Sequence, residues 1–442
     1  MRRLILLLFL LPWLLADAQR SPFVIAPYLQ LGDSQSGQSL EIWWGAKPGS
    51  PFEVRYQVAG QSRIATPEAQ ALKGYHLYHA RLEGLSGEVD YQVVQDGKSL
   101  FSARARAPRP PGSTARFVVV GDTACGTSWE KEVAYQMHRQ NPDCGVILGD
   151  IVYESGRQSE YLEHFFPIYN APSADPARGA PLLRSTLFLA VPGNHDLRTP
   201  RQDRPYTDGY AYFLFWSLPL NGPSTGWPVF QPASGRSAFQ ELAGRRYPRM
   251  ASYSVNYGDV HWTMLDSNPQ VDWTRPELRK WLAQDLQAAS GAAWRIVALH
   301  HSPFSSGHHH FHEQHARVLA DVFEKGRVDV VMSGHMHNYQ RTRPLRFSGA
   351  RRQGDGTVSG NFNLDRAFDG HKVTRAQGVV YVISGGGGAY LHDTGRVHLE
   401  PYTARMESNQ HSFTVLEANP RRLSFRQIAN SGQEIDRFVV DR

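Results

Sequence analysis

The chain has 442 residues, of which 41% are apolar and 20% charged, with a formal charge of +6. That balance belongs to a folded soluble protein, long enough for two domains rather than one. The mild basic excess favours anionic ligands, but no basic run is interleaved with aromatics, which excludes nucleic acid as a partner.

The chain opens "MRRLILLLFLLPWLLADAQR". A basic start, an apolar stretch from Leu4 to Leu15 and an Ala-Asp-Ala cleavage site predict a signal peptide over residues 1–18. The apolar stretch is too short for a membrane span, and no later run is long enough, so no membrane span is expected. The mature protein is expected to be exported, either periplasmic or secreted.

From Phe23 to about Pro108 the pattern is all-β. "SLEIWWG", "FEVRYQVAG", "YHLYHARLEGL", "EVDYQVVQDG" and "SLFSARARAP" are short alternating runs broken by Gly, Pro and Ser. They predict a small β-sandwich domain over 19–108. The Pro-rich segment "APRPPGST" closes it, placing a linker at 109–114.

Residues 115–442 read as an α/β domain. "ARFVVVGD" is an apolar strand ending in Gly-Asp, followed by a helix over Trp129–Arg139 and then by "CGVILGD". That helix separates Cys125 from Cys144, so the two cysteines are expected to stay unpaired. "TLFLAVPGNHD" is a third strand, "RPELRKWLAQDLQAA" a helix, "WRIVALHHSP" a fourth strand and "HEQHARVLADVFEKG" a helix. The fifth strand is "VDVVMSGHMHNYQR", starting at Val328. Pro200–Pro248 and Phe347–Gln377 are rich in Gly, Pro and polar residues and read as long surface insertions. Strands alternating with helices form a layered sheet whose sites lie at the carboxyl ends of the strands.

Each of the five strands ends in groups able to hold a metal: Asp122; Asp150 with Tyr153; Asn194; His300; and His335 with His337. In extended chain, residues two apart face the same way, so His335 and His337 can aim at one point. Carboxylates, an amide oxygen and imidazoles suit borderline or hard metals. The donors suffice for two ions, and Asp150 can bridge them at the roughly 3.5–4 Å spacing of paired-metal hydrolases.

The ordered blocks "GD", "GDIVY", "GNHD", "VALH" and "GHMH" resemble the metallophosphoesterase signature, and the tyrosine of "GDIVY" makes the chain similar to the purple acid phosphatases. The first sandwich resembles the fibronectin type III-like domain that some of those enzymes carry. The implied architecture is an αββα sandwich preceded by a small all-β sandwich. The implied activity is that of an acid phosphatase, which takes small phosphorylated substrates and releases inorganic phosphate after attack by hydroxide on the metal ions.

The resemblance assigns one ion to Asp122, Asp150, Tyr153 and His337. In that family this ion is iron(III), and a tyrosinate is a hard donor that suits it. The second ion, iron(II), zinc or manganese, falls to Asp150, Asn194, His300 and His335. His195 is implied to bind phosphate or protonate the leaving group, and His309 or His310 to contact substrate. His301 is expected to face the other side of its strand or to shape the pocket rim. The first block departs from the usual pattern, with Ala124 where Gly is common, which predicts modest distortion. "GGGG" at Gly385–Gly388 reads as a flexible turn near the site. A phosphodiesterase of the same superfamily is the main alternative, and a secreted binding protein without activity the remote one.

Overall fold

The computed structural model describes residues 21–33, 38–198, 208–225, 239–395 and 397–442. The expected signal peptide lies outside the described residues.

Between Phe23 and Arg106 two antiparallel four-stranded sheets are formed. One runs in the order Phe23–Gln30, Ser39–Ala46, Tyr75–Glu83, Glu68–Leu72, and the other Gln61–Ala65, Phe52–Val58, Glu88–Gln95, Lys98–Arg106. Alternation drives the layering. In Phe52–Val58 the residues Phe52, Val54 and Tyr56 are buried while Arg55 and Gln57 face solvent. The sandwich is docked on the rest of the chain. Tyr28 Oη donates to Phe215 O (2.9 Å), Tyr91 Oη to Arg184 O (2.9 Å) and Ser217 N to Gln30 Oε1 (2.8 Å). The segment expected to be a linker is also held: Arg109 pairs with Asp143 at 2.7 Å, and Gly258 N donates to Arg109 O.

Two further sheets face each other. The first runs Leu187–Ala190, Cys144–Ile147, Ala115–Val120, Ser412–Asn419, Arg422–Ala429, Glu434–Asp441; its first three strands are parallel. The second runs Tyr253–Tyr257, Val260–Leu265, Trp294–Leu299, Val330–Ser333, Val380–Ser384, Tyr339–Thr342, Thr403–Glu407, with four parallel strands at its centre. Phe117 of the first packs edge-on against Tyr257 and Trp262 of the second, each at 5.3 Å. In the second sheet Ile296, Ala298, Val330 and Met332 join the core between the sheets, while Val297, Leu299 and Val331 join a separate cluster with Leu278, Leu282 and Phe323 of the outer helices. Strands buried on both faces explain the continuous apolar runs. The result is an αββα sandwich.

Local signals set the helices. Thr127 caps the helix Ser128–Arg139 by accepting from Glu130 N, and Pro276 opens the helix Pro276–Ala288. "HEQHARVLADVFEKG" is not one helix: a 3₁₀ turn at His315–Leu319 leads into a short helix, Ala320–Lys325.

The two insertions are also more structured than their composition suggests. Tyr210–Leu218 carries Tyr212, Phe213, Phe215 and Trp216 into the core, where Trp216 Nε1 donates to Tyr161 Oη. Leu345–Arg352 and Val358–Leu364 form a hairpin whose Phe347 and Val358 are buried. Both cysteines are free.

Candidate metal centre

Parallel register brings the strand ends to one edge. Val120 pairs with Ile147 and Ile147 with Ala190 in the first sheet, and Ala298 pairs with Met332 in the second. Hydrogen bonds donated by the backbone join the two edges: Gly121 N donates to Ser384 O (2.8 Å) and His335 N to the Asp122 side-chain Oδ2 (2.9 Å). Asp122, Asp150 and His335 all have left-handed backbone, at φ +62°, +47° and +68°. Each such residue costs roughly 1–3 kcal/mol and persists only where the surroundings over-determine it. Ala124 sits at φ +21°, the margin of that region, and its methyl is fully buried. Gly193 has no room for a side chain, since a Cβ there would meet Asp150 Oδ1 at 2.1 Å.

All seven side chains expected to bind metal meet at this edge. The Tyr153 hydroxyl lies 3.2 Å from Asp122 Oδ1, 3.2 Å from Asp150 Oδ2 and 3.0 Å from His337 Nε2. Asp150 Oδ2 also lies 3.4 Å from His300 Nε2, which is 3.0 Å from Asn194 Oδ1 and 3.2 Å from His335 Nδ1. Asp150 therefore stands between the two groups. Asp122, Asp150, His300 and His335 are buried, and the ion-pair partners of the two carboxylates among the described residues are all histidines.

Acceptors on the far side of each ring fix the tautomers. Leu148 O takes the Nδ1 proton of His300 (2.8 Å), Tyr390 O that of His337 (2.7 Å), and Glu313 Oε2 the Nε2 proton of His335 (3.0 Å). A carbonyl or carboxylate can only accept, so the opposite nitrogens turn lone pairs inward. His300 Nε2 and His335 Nδ1 then face each other, beside two buried carboxylates. A donor set of this kind is repulsive without cations, and it fits two ions of the borderline-to-hard class.

The charges respond to this crowding. Burial opposes ionisation of Asp150, yet His300 and His195 hold its carboxylate well below the usual range. Burial likewise opposes charge on His300, but Asp150 and Asp122 raise it to about 9, so the space between its Nε2 and Asp150 calls for a positive charge, either a proton or a metal ion in its place. Burial, then Asp150 and Asp122, push the Tyr153 phenol well above 10. Burial lowers His335 to about 4 and puts His301 well below the ordinary imidazole range.

A layer of residues stands behind the seven. His195 N donates to Asp150 Oδ1 (2.8 Å), and its Nδ1 meets Glu154 O at 2.7 Å, which leaves Nε2 facing the centre, 3.9 Å from Asp150 Oδ2. His310 packs against the His335 ring at 4.1 Å and bonds Glu313 Oε1 at 2.6 Å. His309 lies one layer further out, more than half exposed and stacked on His392 at 4.4 Å.

His301 does not face away. It is buried, with its ring 4.4 Å from His335 and its Nδ1 3.2 Å from Ser267 Oγ, because the chain bends immediately after Leu299. The glycine run is close to the centre but buried and tightly packed: a Cβ on Gly385 would meet Met336 O at 2.2 Å. Sequence reasoning did not assign Glu313, His392 or Asp196. Asp196 accepts from Gly193 N and Ile151 N, so the last letter of "GNHD" was a signal for it. Glu313, three residues after His310, had no signal beyond that spacing.

A family model described as calcineurin-like phosphoesterase matches residues 115–339, and one described as iron/zinc purple acid phosphatase-like protein C matches 378–437. A nucleotide pyrophosphatase/phosphodiesterase of Hordeum vulgare is 25% identical over 398 residues, spanning 81% of this chain and 92% of the relative. Purple acid phosphatase 17 of Arabidopsis thaliana is 26% identical over 278 residues, spanning 57% of this chain and 69% of the relative. Among solved structures, purple acid phosphatase PPD1 from yellow lupin (Lupinus luteus) seeds superposes with a TM-score of 0.67 at 18% identity, covering 94% of this chain and 74% of that one. PhoD superposes with a TM-score of 0.58 at 11% identity, covering 94% and 92%.

Proposed function

Because the chain belongs to the calcineurin-like phosphoesterase family and is an enzyme of the phosphoric ester hydrolase class, we propose that it is an exported purple acid phosphatase-type enzyme that cleaves phosphate monoesters at a two-metal centre. The observation that carries this reading is the convergence of inward lone pairs on Asp150, with Tyr153 on one side and His300 on the other. Asp122, Asp150, Tyr153 and His337 would hold iron(III), and Asp150, Asn194, His300 and His335 iron(II), zinc or manganese. When bound, the ions supply Lewis-acid charge that acidifies water and neutralises phosphate oxygens.

The chain's own residues orient and move protons. Leu148 O, Tyr390 O and Glu313 hold the imidazoles in register. His195, with Nδ1 fixed on Glu154 O, presents Nε2 to a phosphate oxygen or to the leaving group, where it can deliver a proton. His310 would contact the substrate from the opposite rim, with His309 outside it. We further propose a signal peptide at 1–18, a fibronectin-like domain at 19–108, a linker at 109–114 and the catalytic domain at 115–442.

The likeness to a nucleotide pyrophosphatase/phosphodiesterase supports diester cleavage as a second reading. Rates on 4-nitrophenyl phosphate and bis(4-nitrophenyl) phosphate separate the two. A higher kcat/KM on the monoester is expected, and a preference for the diester would overturn the monoesterase reading.

A further inference from the structure

The loop after the glycine run carries an aromatic ring that neither the fold nor the metal centre uses. Tyr390 is 74% exposed, the most exposed of the large apolar side chains among the described residues, yet its backbone is fixed on both sides. Ala389 N donates to Asp122 O (3.1 Å), Tyr390 O accepts from His337 Nδ1 (2.7 Å), and His392 N donates to His337 O (3.0 Å). His392, two residues on, stacks on His337 at 3.8 Å.

Tyr390 meets a second exposed ring edge-on. Trp129 lies 5.9 Å away at an interplanar angle of 72° and is itself 37% exposed. It is held from behind by the buried His411, stacked at 4.9 Å and 13°, and it stands in the first turn of the helix that follows Asp122. The Tyr390 loop is thus anchored on backbone that also positions Asp122 and His337, two donors of the same expected ion, while Trp129 is held by His411 and its own helix. Rigid, exposed aromatic rings gain nothing in folding from this placement, whereas they lose little freedom when a flat molecule stacks on them.

We propose that Trp129 and Tyr390 form a stacking platform for the leaving group, so that the enzyme prefers phosphate esters whose alcohol carries a planar aromatic ring, nucleoside 5′-phosphates being the natural shape. This rests on the monoesterase reading. Stacking a base on an aromatic side chain is sequence-tolerant, and the corresponding alanine substitution weakens binding by about tenfold at an exposed site.

The test compares adenosine 5′-monophosphate with ribose 5-phosphate, which share the same primary-alcohol leaving group and differ only in the base. The wild type is expected to favour the nucleotide in kcat/KM. The ratio of the two kcat/KM values should fall about tenfold in Tyr390→Ala and in Trp129→Ala, and Tyr390→Phe should retain it. Tyr390→Ala keeps the carbonyl that holds His337. A ratio unchanged in both alanine variants overturns the platform, as does an equal loss on both esters, which would mean that only the seat of His337 was disturbed. A wild type inactive on both esters while active on diesters overturns the monoesterase reading and the platform with it.

Discussion

Replacing Gly193 by alanine tests how closely the two strand ends are fitted around the central carboxylate. The added methyl would lie 2.1 Å from Asp150 Oδ1 and 2.3 Å from Asp150 N. Carbon and oxygen do not approach within 3 Å, so Asp150 or the Gly193 backbone must move by roughly 1 Å, a displacement of reacting geometry that costs about 100-fold in rate. The shift has no easy direction. Asp150 Oδ1 accepts from His195 N at 2.8 Å, Gly193 N donates to Asp196 Oδ2 at 2.8 Å, and all of these groups but His195 are buried. Overpacking of this kind destabilises by about 1–3 kcal/mol, small enough for the fold to survive.

The assay measures metal content, kcat/KM and melting temperature of Gly193→Ala beside Gly291→Ala. Gly291 has nothing within 4 Å of its virtual methyl and should be neutral. The expected result is a folded Gly193→Ala with depleted metal and kcat/KM reduced at least about 100-fold. A folded variant with full metal and kcat/KM within about threefold of wild type would refute the argument.

Three further outcomes are expected. His195→Ala should keep both metals while turnover falls by about 10²–10⁴-fold, because the hydrogen bond of His195 to Asp150 comes from its backbone N–H, which alanine keeps, while Nε2 faces the open side of the centre; unchanged turnover would remove it from the chemistry. Tyr153→Phe should lose the visible absorption of an iron(III)–tyrosinate while remaining folded; a fully loaded, active wild type without such a band would place another metal beside Tyr153. Glu130→Gln should stabilise the protein in a pH-dependent way. Burial raises the Glu130 carboxyl to about 8 from an ordinary 4.5, so between those values the unfolded chain is ionised while the folded chain keeps its proton. Unfolding then releases a proton, and stability falls as pH rises, by about 3 kcal/mol at pH 7. The variant should melt with wild type at pH 4 and above it at pH 8; an equal offset at both values would contradict the linkage.

The convergence of the seven candidate donors was legible because each one is written next to its strand. A buried parallel strand is a continuous apolar run, and "VVVGD", "VILGD" and "VMSGHMH" show where each run stops and what it presents. The packing around them was not legible. Glu313 reaches His335 only because a loop folds back over the edge of the sheet, and no local pattern encodes that return. Composition misled at Tyr210–Leu218, where flanking Gly and Pro hid a cluster of aromatics that fills the core. His301 was expected to face the other side of its strand or to shape the pocket rim; it lies beside His335 because the chain leaves extended geometry after Leu299 and alternation ceases to apply. The strands Ser412–Asn419, Arg422–Ala429 and Glu434–Asp441 were not anticipated, although they complete the first sheet.

The most direct measurement is the metal count per chain, by elemental analysis, of protein purified without chelator, for wild type and for Asp150→Asn. Asp150 stands in both donor groups, so two ions per wild-type chain and less than one in the variant are expected. A wild type without bound metal, or a variant that retains both ions, would contradict a centre built around that carboxylate.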